Sequence, residues 1–415
     1  MTVEIETPSQ NITKAQNVIY AEIDRISAEL QELSIDIHKH PETGLEEHYA
    51  HEVLTNYLEK NGFTVTRHAY DIKTAFTAVY TNGPGLRVGF CSEYDALPGI
   101  GHACGHNIIA ITGVANAMAM KALLEKGIAS GTVMLFGTPS EERLEGKIMM
   151  ARKRAFQDNV DVCSMLHPSS NNMNYWGATA CNYATVEYRG KPAHAGGSPW
   201  SGVNALDAVC QALVSIGLLR QQLLGTDRVH GIITDGGKAP NIIPDYTAAS
   251  MAVRAPTTAR VQELMDKVGK CFNAAALATG CEVEIKWRES GICKNVTQNS
   301  VMAEMYAKYY EEITGKPLPS RQVQEAAQVG ASTDFGNVSA LVPAIHPLFE
   351  IYTEDFPHTA SFADAAGTTK AHEGAIIASK SLAMVGAHLL LEKGYFDNVS
   401  REFEATVPVE QRNQE

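Results

Sequence analysis

The sequence predicts an α/β chain in two parts, a sheet-and-helix domain interrupted by a smaller α+β unit. Three observations predict this. At 415 residues the chain exceeds one typical domain. Short apolar runs alternate with helical periodicity through the first third, the pattern of a sheet covered by helices on both faces. Near Gly177 the order changes to β-α-β-β-α-β, and the polar words of the first part resume only afterwards, at Asp334 and His358.

Taken in order, Ile19, Ile23, Ile26, Leu30, Leu33 and Ile37 recur at helical spacing, so Val18 to His38 is a helix that Pro41 ends. A second helix fits Glu46 to Lys60 and stops at Gly62. Strands follow at Thr64–Tyr70, Ala75–Tyr80 and Leu86–Cys91, then a helix at Ile108–Lys126 and strands at Thr132–Phe136 and Val160–Leu166. The interrupting unit reads as strand 179–189, helix 202–222, strands 228–235 and 246–254, helix 258–279 and strand 281–288, which is the ferredoxin-like order. An amphipathic helix at Ala371–Leu391 returns to the first part. The expected boundaries are 15–177 with 295–402 for the discontinuous domain and 178–294 for the insert, with 1–14 and 403–415 frayed.

Chemistry concentrates where these strands end. Gly101-His102-Ala103-Cys104-Gly105-His106-Asn107 follows one strand and the acidic turn Glu93-Tyr94-Asp95. Thr138-Pro139-Ser140-Glu141-Glu142 follows the next, and His167-Pro168 the one after. Ligands of α/β sheets bind at the carboxyl ends of strands. Imidazole, thiolate and carboxylate are the usual donors to first-row metals, and a thiolate favours zinc over magnesium or calcium.

The formal net charge of −13 disfavours nucleic acid and anionic membrane as partners. No stretch reaches the roughly 18 uninterrupted apolar residues of a span; Ile108–Leu124 comes closest and reads as a buried helix. The polar N-terminus lacks the pattern of a signal peptide. Eight dispersed cysteines are then expected to be reduced thiols in the cytoplasm.

The words His40-Pro41-Glu42-Thr43-Gly44, Glu93-Tyr94-Asp95-Ala96-Leu97-Pro98-Gly99, GHACGHN (101–107), GTPSEE (137–142), GKPAHAGGSPWSGVNAL (190–206) and APNIIPD (239–245) stand in this order. The block at 334–339 and His358-Thr359 follow. Together they resemble the M20 metallopeptidase and aminoacylase family, in its amidohydrolase branch, over about residues 30–395. The resemblance implies a Zn-peptidase-like catalytic domain with an inserted ferredoxin-like dimerisation, or lid, domain. It implies two divalent ions, zinc first, with manganese or cobalt permitted, on Cys104, His106, Glu142, His167 and His358. Glu141 would be general acid/base, and Asp95 would orient a ligand. His194 would stabilise the oxyanion in a homodimer, in its own or the neighbouring site. Asn241, Arg254, Gly330 and Ser332 would face substrate, Arg254 through its bidentate fork. Glu93 replaces a histidine ligand of other branches and is left outside the ligand set. Where relatives carry a glycine-rich run, this chain has Arg143-Leu144-Glu145-Gly146-Lys147, so Arg143 is a candidate selector of an acidic or carboxylated substrate.

The expected activity is metal-dependent hydrolysis of an amide bond in a dipeptide, N-acyl amino acid or related conjugate. Amide formation or acyl transfer on the same site is the alternative, since both directions share one tetrahedral intermediate. A non-catalytic metal-binding scaffold is the reading from another class, and the Glu141-Glu142 pair argues against it.

Overall fold

The computed structural model of the protein describes residues 8–327 and 330–412. The chain forms two compact units. One holds the described residues up to Gly177, those from Val296 to Ala327 and those from Asp334 on; the other holds Ala178–Asn295 with Gly330–Thr333. The short return of Gly330–Thr333 to the second unit departs from the expected boundary, which assigned 295–402 to the first.

The first unit begins with helices α1 (Pro8–Lys39) and α2 (His48–Lys60) and strands β1 (Thr64–Arg67), β2 (Phe76–Asn82) and β3 (Arg87–Ser92). Helix α3 (His106–Glu125), strand β4 (Gly131–Gly137), helix α4 (Gly146–Arg152) and strands β5 (Val162–Ser164) and β6 (His167–Ser169) complete its N-terminal part. The second unit runs β7 (Ala180–Arg189), α5 (Ala205–Leu219), β8 (Arg228–Asp235), β9 (Tyr246–Ala255), α6 (Thr258–Thr279) and β10 (Glu282–Trp287). The first then resumes with α7 (Ser300–Thr314), α8 (Arg321–Ala326), α9 (Phe335–Ser339), β11 (Ala344–Ile345), β12 (Leu348–Glu350), α10 (Ala360–Ala366), α11 (Thr369–Leu391) and α12 (Lys393–Thr406).

The main sheet of the first unit has the order β1-β2-β4-β3-β5-β11. Strands β4, β3, β5 and β11 are parallel, and β1 and β2 are antiparallel. Parallel strands need both faces covered, and α1, α3 and α11 pack against one another to supply cover. Helices α3 and α11 are long and apolar enough to cross a membrane, yet the most apolar stretch of α3 is entirely buried and that of α11 is 72% buried. Such a helix is apolar all round because it lies inside the core. Where α3 crosses β3, a Cβ at Gly113 would stand 2.1 Å from Ser92 Oγ. Glycine here lets the helix seat against the strand end that leads into Glu93. In the second unit the antiparallel sheet order β10-β7-β9-β8 is that of the ferredoxin-like fold.

Two sequence expectations are corrected. Strand Val160–Leu166 shortens to β5, and His167 opens β6 against β12. Fraying was expected at both ends; Met1–Thr7 and Asn413–Glu415 lie outside the described residues, but 8–14 are already helical and 403–406 close α12. The reason at the C-terminus is specific. The Glu402 carboxylate accepts the Ser300 and Val301 amides at 2.8 and 3.0 Å, filling the open N–H groups that begin α7, while Val399 and Val407 are buried.

Candidate metal and catalytic site

The tight turn after Pro98 ends at Gly105, with φ of 75°, where a Cβ would stand 2.6 Å from Pro168. Only glycine accommodates both the left-handed backbone and that approach. The turn puts Cys104 beside the start of α3 and makes His106 its first residue. Asp95 then fixes the ring: His106 Nδ1 donates to Asp95 Oδ1 at 2.9 Å, leaving Nε2 for the site. The second oxygen of Asp95 accepts the Glu142 amide at 3.1 Å. One carboxylate thus sets an imidazole and the peptide carrying Glu142.

His167 Nδ1 donates to Pro168 O at 2.7 Å, and its Nε2 lies 3.5 Å from Cys104 Sγ. His358 adopts φ of 73°, donates its amide to Ala103 O at 2.8 Å and brings Nε2 to 3.0 Å from Glu142 Oε1. The five donors therefore fall into two sets of three, Cys104–His106–His167 and Cys104–Glu142–His358, each with its ligand atoms within 4.8 Å of one another. The sets share one thiol.

The field of this cluster is negative. Burial opposes a charge on His106, yet Asp95, Cys104 and Glu93 outweigh it and hold its pKa well above the ordinary value. His167 is pushed down to about 4, chiefly by burial, so at neutral pH it is a free base with a lone pair to offer. Burial raises the Cys104 thiol, with Glu142 adding to the effect. Burial raises Glu142 as well, but His358 and His106 prevail and its carboxylate is held low. Glu141 is driven well up by burial and by Glu93, Glu142 and Asp334. Among the described residues, the buried His106 Nε2 and Glu93 Oε2 hydrogen-bond to nothing, and they face each other at 3.4 Å. Buried polar atoms ordinarily have partners. The orphaned His106 Nε2, beside a thiol, a second imidazole and carboxylates, fits a divalent cation.

Of the other C-terminal candidates, His372 stands apart from the donor sets, whereas the His346 ring lies edge-on to that of His167, with centroids 5.7 Å apart, and neither set of three includes it. His372 pairs with Ser27 at 2.9 Å, and His346 is boxed between Trp176 and Phe335. His38 bonds Ala363 O at 2.8 Å, and His102 stacks on it. Arg143 is exposed on the turn after the glutamate pair.

In the second unit, His194 Nδ1 accepts the Gly196 and Gly197 amides at 3.2 and 2.9 Å. The proton of the neutral ring is thereby fixed on Nε2. Ala195 N donates to Asn241 O at 3.0 Å, so His194 and Asn241 occupy adjoining segments. Arg254 donates to Ser332 Oγ at 3.0 Å and to the Tyr183 hydroxyl at 2.6 Å. The structure thus joins Arg254 to the loop of Gly330 and Ser332, and adds Tyr183, for which the sequence offered no signal. It also adds a buried lysine, Lys147, between Glu93 and Asp334. Its sequence signal is a cation immediately before the apolar run Ile148-Met149-Met150-Ala151.

Paired donor sets on a shared thiol, with a further carboxylate beside them, suit metal-assisted hydrolysis. The profile of the M20 peptidase dimerisation domain matches residues 182–280. The Xaa-Arg dipeptidase of Mus musculus is 41% identical over 94% of this chain and 92% of its own length. One of the p-aminobenzoyl-glutamate hydrolase polypeptides of Escherichia coli K12 is 30% identical over 91% and 93%. A solved structure from Bacillus subtilis, described as a dinuclear metal-binding peptidase of the M20 family, matches with a TM-score of 0.68 at 17% identity, over 88% of this chain and 99% of that one. The chain belongs to the M20 peptidase family.

Proposed function

We propose that this protein hydrolyses the amide bond of a dipeptide or amino-acid conjugate with two divalent ions, zinc first, held by Cys104, His106, Glu142, His167 and His358. The observation that carries the reading is the sharing of Cys104 between two sets of three donors. When bound, the ions supply Lewis acidity, polarising the amide carbonyl and lowering the pKa of water. The chain supplies the rest. Glu141 takes the proton of the attacking water and later delivers it to the leaving amine. Burial, with Glu93, Glu142 and Asp334 nearby, raises its pKa, which favours its taking up the proton. Asp95 keeps His106 Nε2 directed at the site. His194 offers Nε2–H as a donor to the oxyanion, and Arg254 offers its guanidinium to a substrate carboxylate.

The likeness to an Xaa-Arg dipeptidase supports dipeptides as the substrate class. Assembly is proposed as a homodimer through the second unit. Its edge strand β8 exposes Ile232 at 66%, and α5 exposes Leu218 at 76% and Val214 at 62%. Unpaired edges and apolar patches of this kind mark interfaces. We propose the cytoplasm as its compartment, because a reducing medium keeps Cys104 a ligand-competent thiol. The test is amine release by metal-loaded protein from a panel of Xaa-Arg and Xaa-Lys dipeptides, N-acyl amino acids and p-aminobenzoyl-glutamate. Turnover of a dipeptide supports the reading. Indifference to every amide in the panel contradicts it.

A further inference from the structure

Beside the two donor sets lies a third group, Glu93, Glu141 and Asp334, whose carboxylate oxygens also come within 4.8 Å of one another. Glu93 and Asp334 are 0% and 1% exposed. Buried carboxylates at this density require a cation or protons. The cation is present in the chain. Lys147, itself 0% exposed, donates Nζ to Glu93 Oε1 and, at 2.6 Å, to Asp334 Oδ1. Its backbone amide donates to Asp334 Oδ2 at 2.8 Å, so the start of α4 is fixed on the same carboxylate. Burial disfavours charge on Lys147, yet Asp334, Glu93 and Glu141 outweigh it and keep the ammonium protonated.

Glu93 is the residue whose role this arrangement decides. Its free Oε2 is 3.4 Å from His106 Nε2, a separation two ligands of one ion could show. Its carboxylate nevertheless groups with Glu141 and Asp334, not with the thiol and imidazoles. Lys147 holds the other oxygen, Oε1, and ties it to Asp334 through the same ammonium.

We propose that Lys147 is a positioning residue, an internal ammonium that takes the place of a metal ion among Glu93, Glu141 and Asp334 and holds Glu93 out of the metal coordination. Glu141 then keeps a carboxylate free for proton transfer beside a fixed counter-charge. The inference rests on the two-ion reading above and deepens it.

Cobalt-substituted protein tests it, because thiolate ligation gives Co(II) a near-ultraviolet charge-transfer band and its visible bands report the ligand number and geometry. The wild type shows the thiolate band. Glu93→Gln keeps two ions per chain and an unchanged visible spectrum, because Glu93 is not a ligand. Lys147→Met releases Glu93 toward His106 Nε2 and alters the visible bands. The double variant Glu93→Gln/Lys147→Met returns them to the wild-type form. Loss of an ion in Glu93→Gln, or an unchanged visible spectrum in Lys147→Met with the thiolate band intact, overturns the inference alone. A wild type without the thiolate band overturns the metal reading and this inference with it. If Lys147→Met does not fold, the ion content of Glu93→Gln decides: two ions support the inference, and fewer overturn it.

Discussion

Asp95 divides its two oxygens between the His106 ring and the Glu142 amide, and this makes the neighbouring glutamates unequal. Glu142 is drawn toward His358 and His106 and held as a carboxylate. Glu141, one residue away, faces Glu93 and Asp334 and is driven upward. Exchange of Glu141 for Gln is expected to leave metal and fold intact and to lower turnover roughly 100-fold to 10,000-fold, the scale of general acid–base catalysis. Exchange of Glu142 for Ala is expected to lose metal. Elemental analysis beside a turnover assay checks both, and exchanged phenotypes would reverse the assignment within the pair. Cys104, His106, Glu142 and His167 were legible because they lie in short words that follow apolar strands, whereas His358, in an irregular stretch well after β12, was legible only through the resemblance. Lys147 and Asp334 were not legible as partners. They are 187 residues apart, and only the packing of α4 on α9 brings them together.

Elements carry the site only as well as they seat on one another. Gly113 lets α3 lie against the end of β3, where an added Cβ would meet Ser92 Oγ at 2.1 Å and Cys91 O at 2.8 Å. Gly113→Ala is expected to destabilise the fold by about 1–3 kcal/mol, the usual cost of overpacking, as read by chemical denaturation. Helix α2 carries a second test. Burial, with His68 stacked at 5.0 Å, lowers the His51 pKa from 6.5 to about 4. Between those values the unfolded chain binds the extra proton, so His51's contribution is fully present above pH about 6.5 and is lost as pH falls toward 4. Denaturation midpoints of the wild type are expected to fall more steeply over this window than those of His51→Leu; equal slopes would contradict the assignment. Long elements were readable because α1 repeats its buried apolar positions over many turns. Helices α4, α8, α9 and α10 span seven residues or fewer, and β11 only two. They offer too few periods to read. Helix α12 buries only Tyr395 and Val399, a stripe too sparse to stand out before the fold supplies Glu402's role at α7.

At the scale of the whole molecule, His194 and the five donors belong to different units of the chain. The proposed homodimer predicts a dimeric mass in solution, and charged substitutions at Leu218 and Ile232 are expected to reduce it to monomer, as read by sedimentation. If His194 serves the partner's site, heterodimers of inactive His194→Ala and Glu141→Gln subunits regain activity, because one site then holds both residues. Recovery supports action across the dimer; none in verified heterodimers places His194 within its own chain or outside the reaction. The catalytic expectations depend on the two donor sets that share Cys104. The most direct measurement is metal stoichiometry in purified protein, followed through chelation and re-addition alongside dipeptide turnover. The account predicts up to two transition-metal ions per chain, loss of activity on chelation and its return with zinc, manganese or cobalt. Protein that turns over a dipeptide without stoichiometric metal, indifferent to chelator, would contradict it.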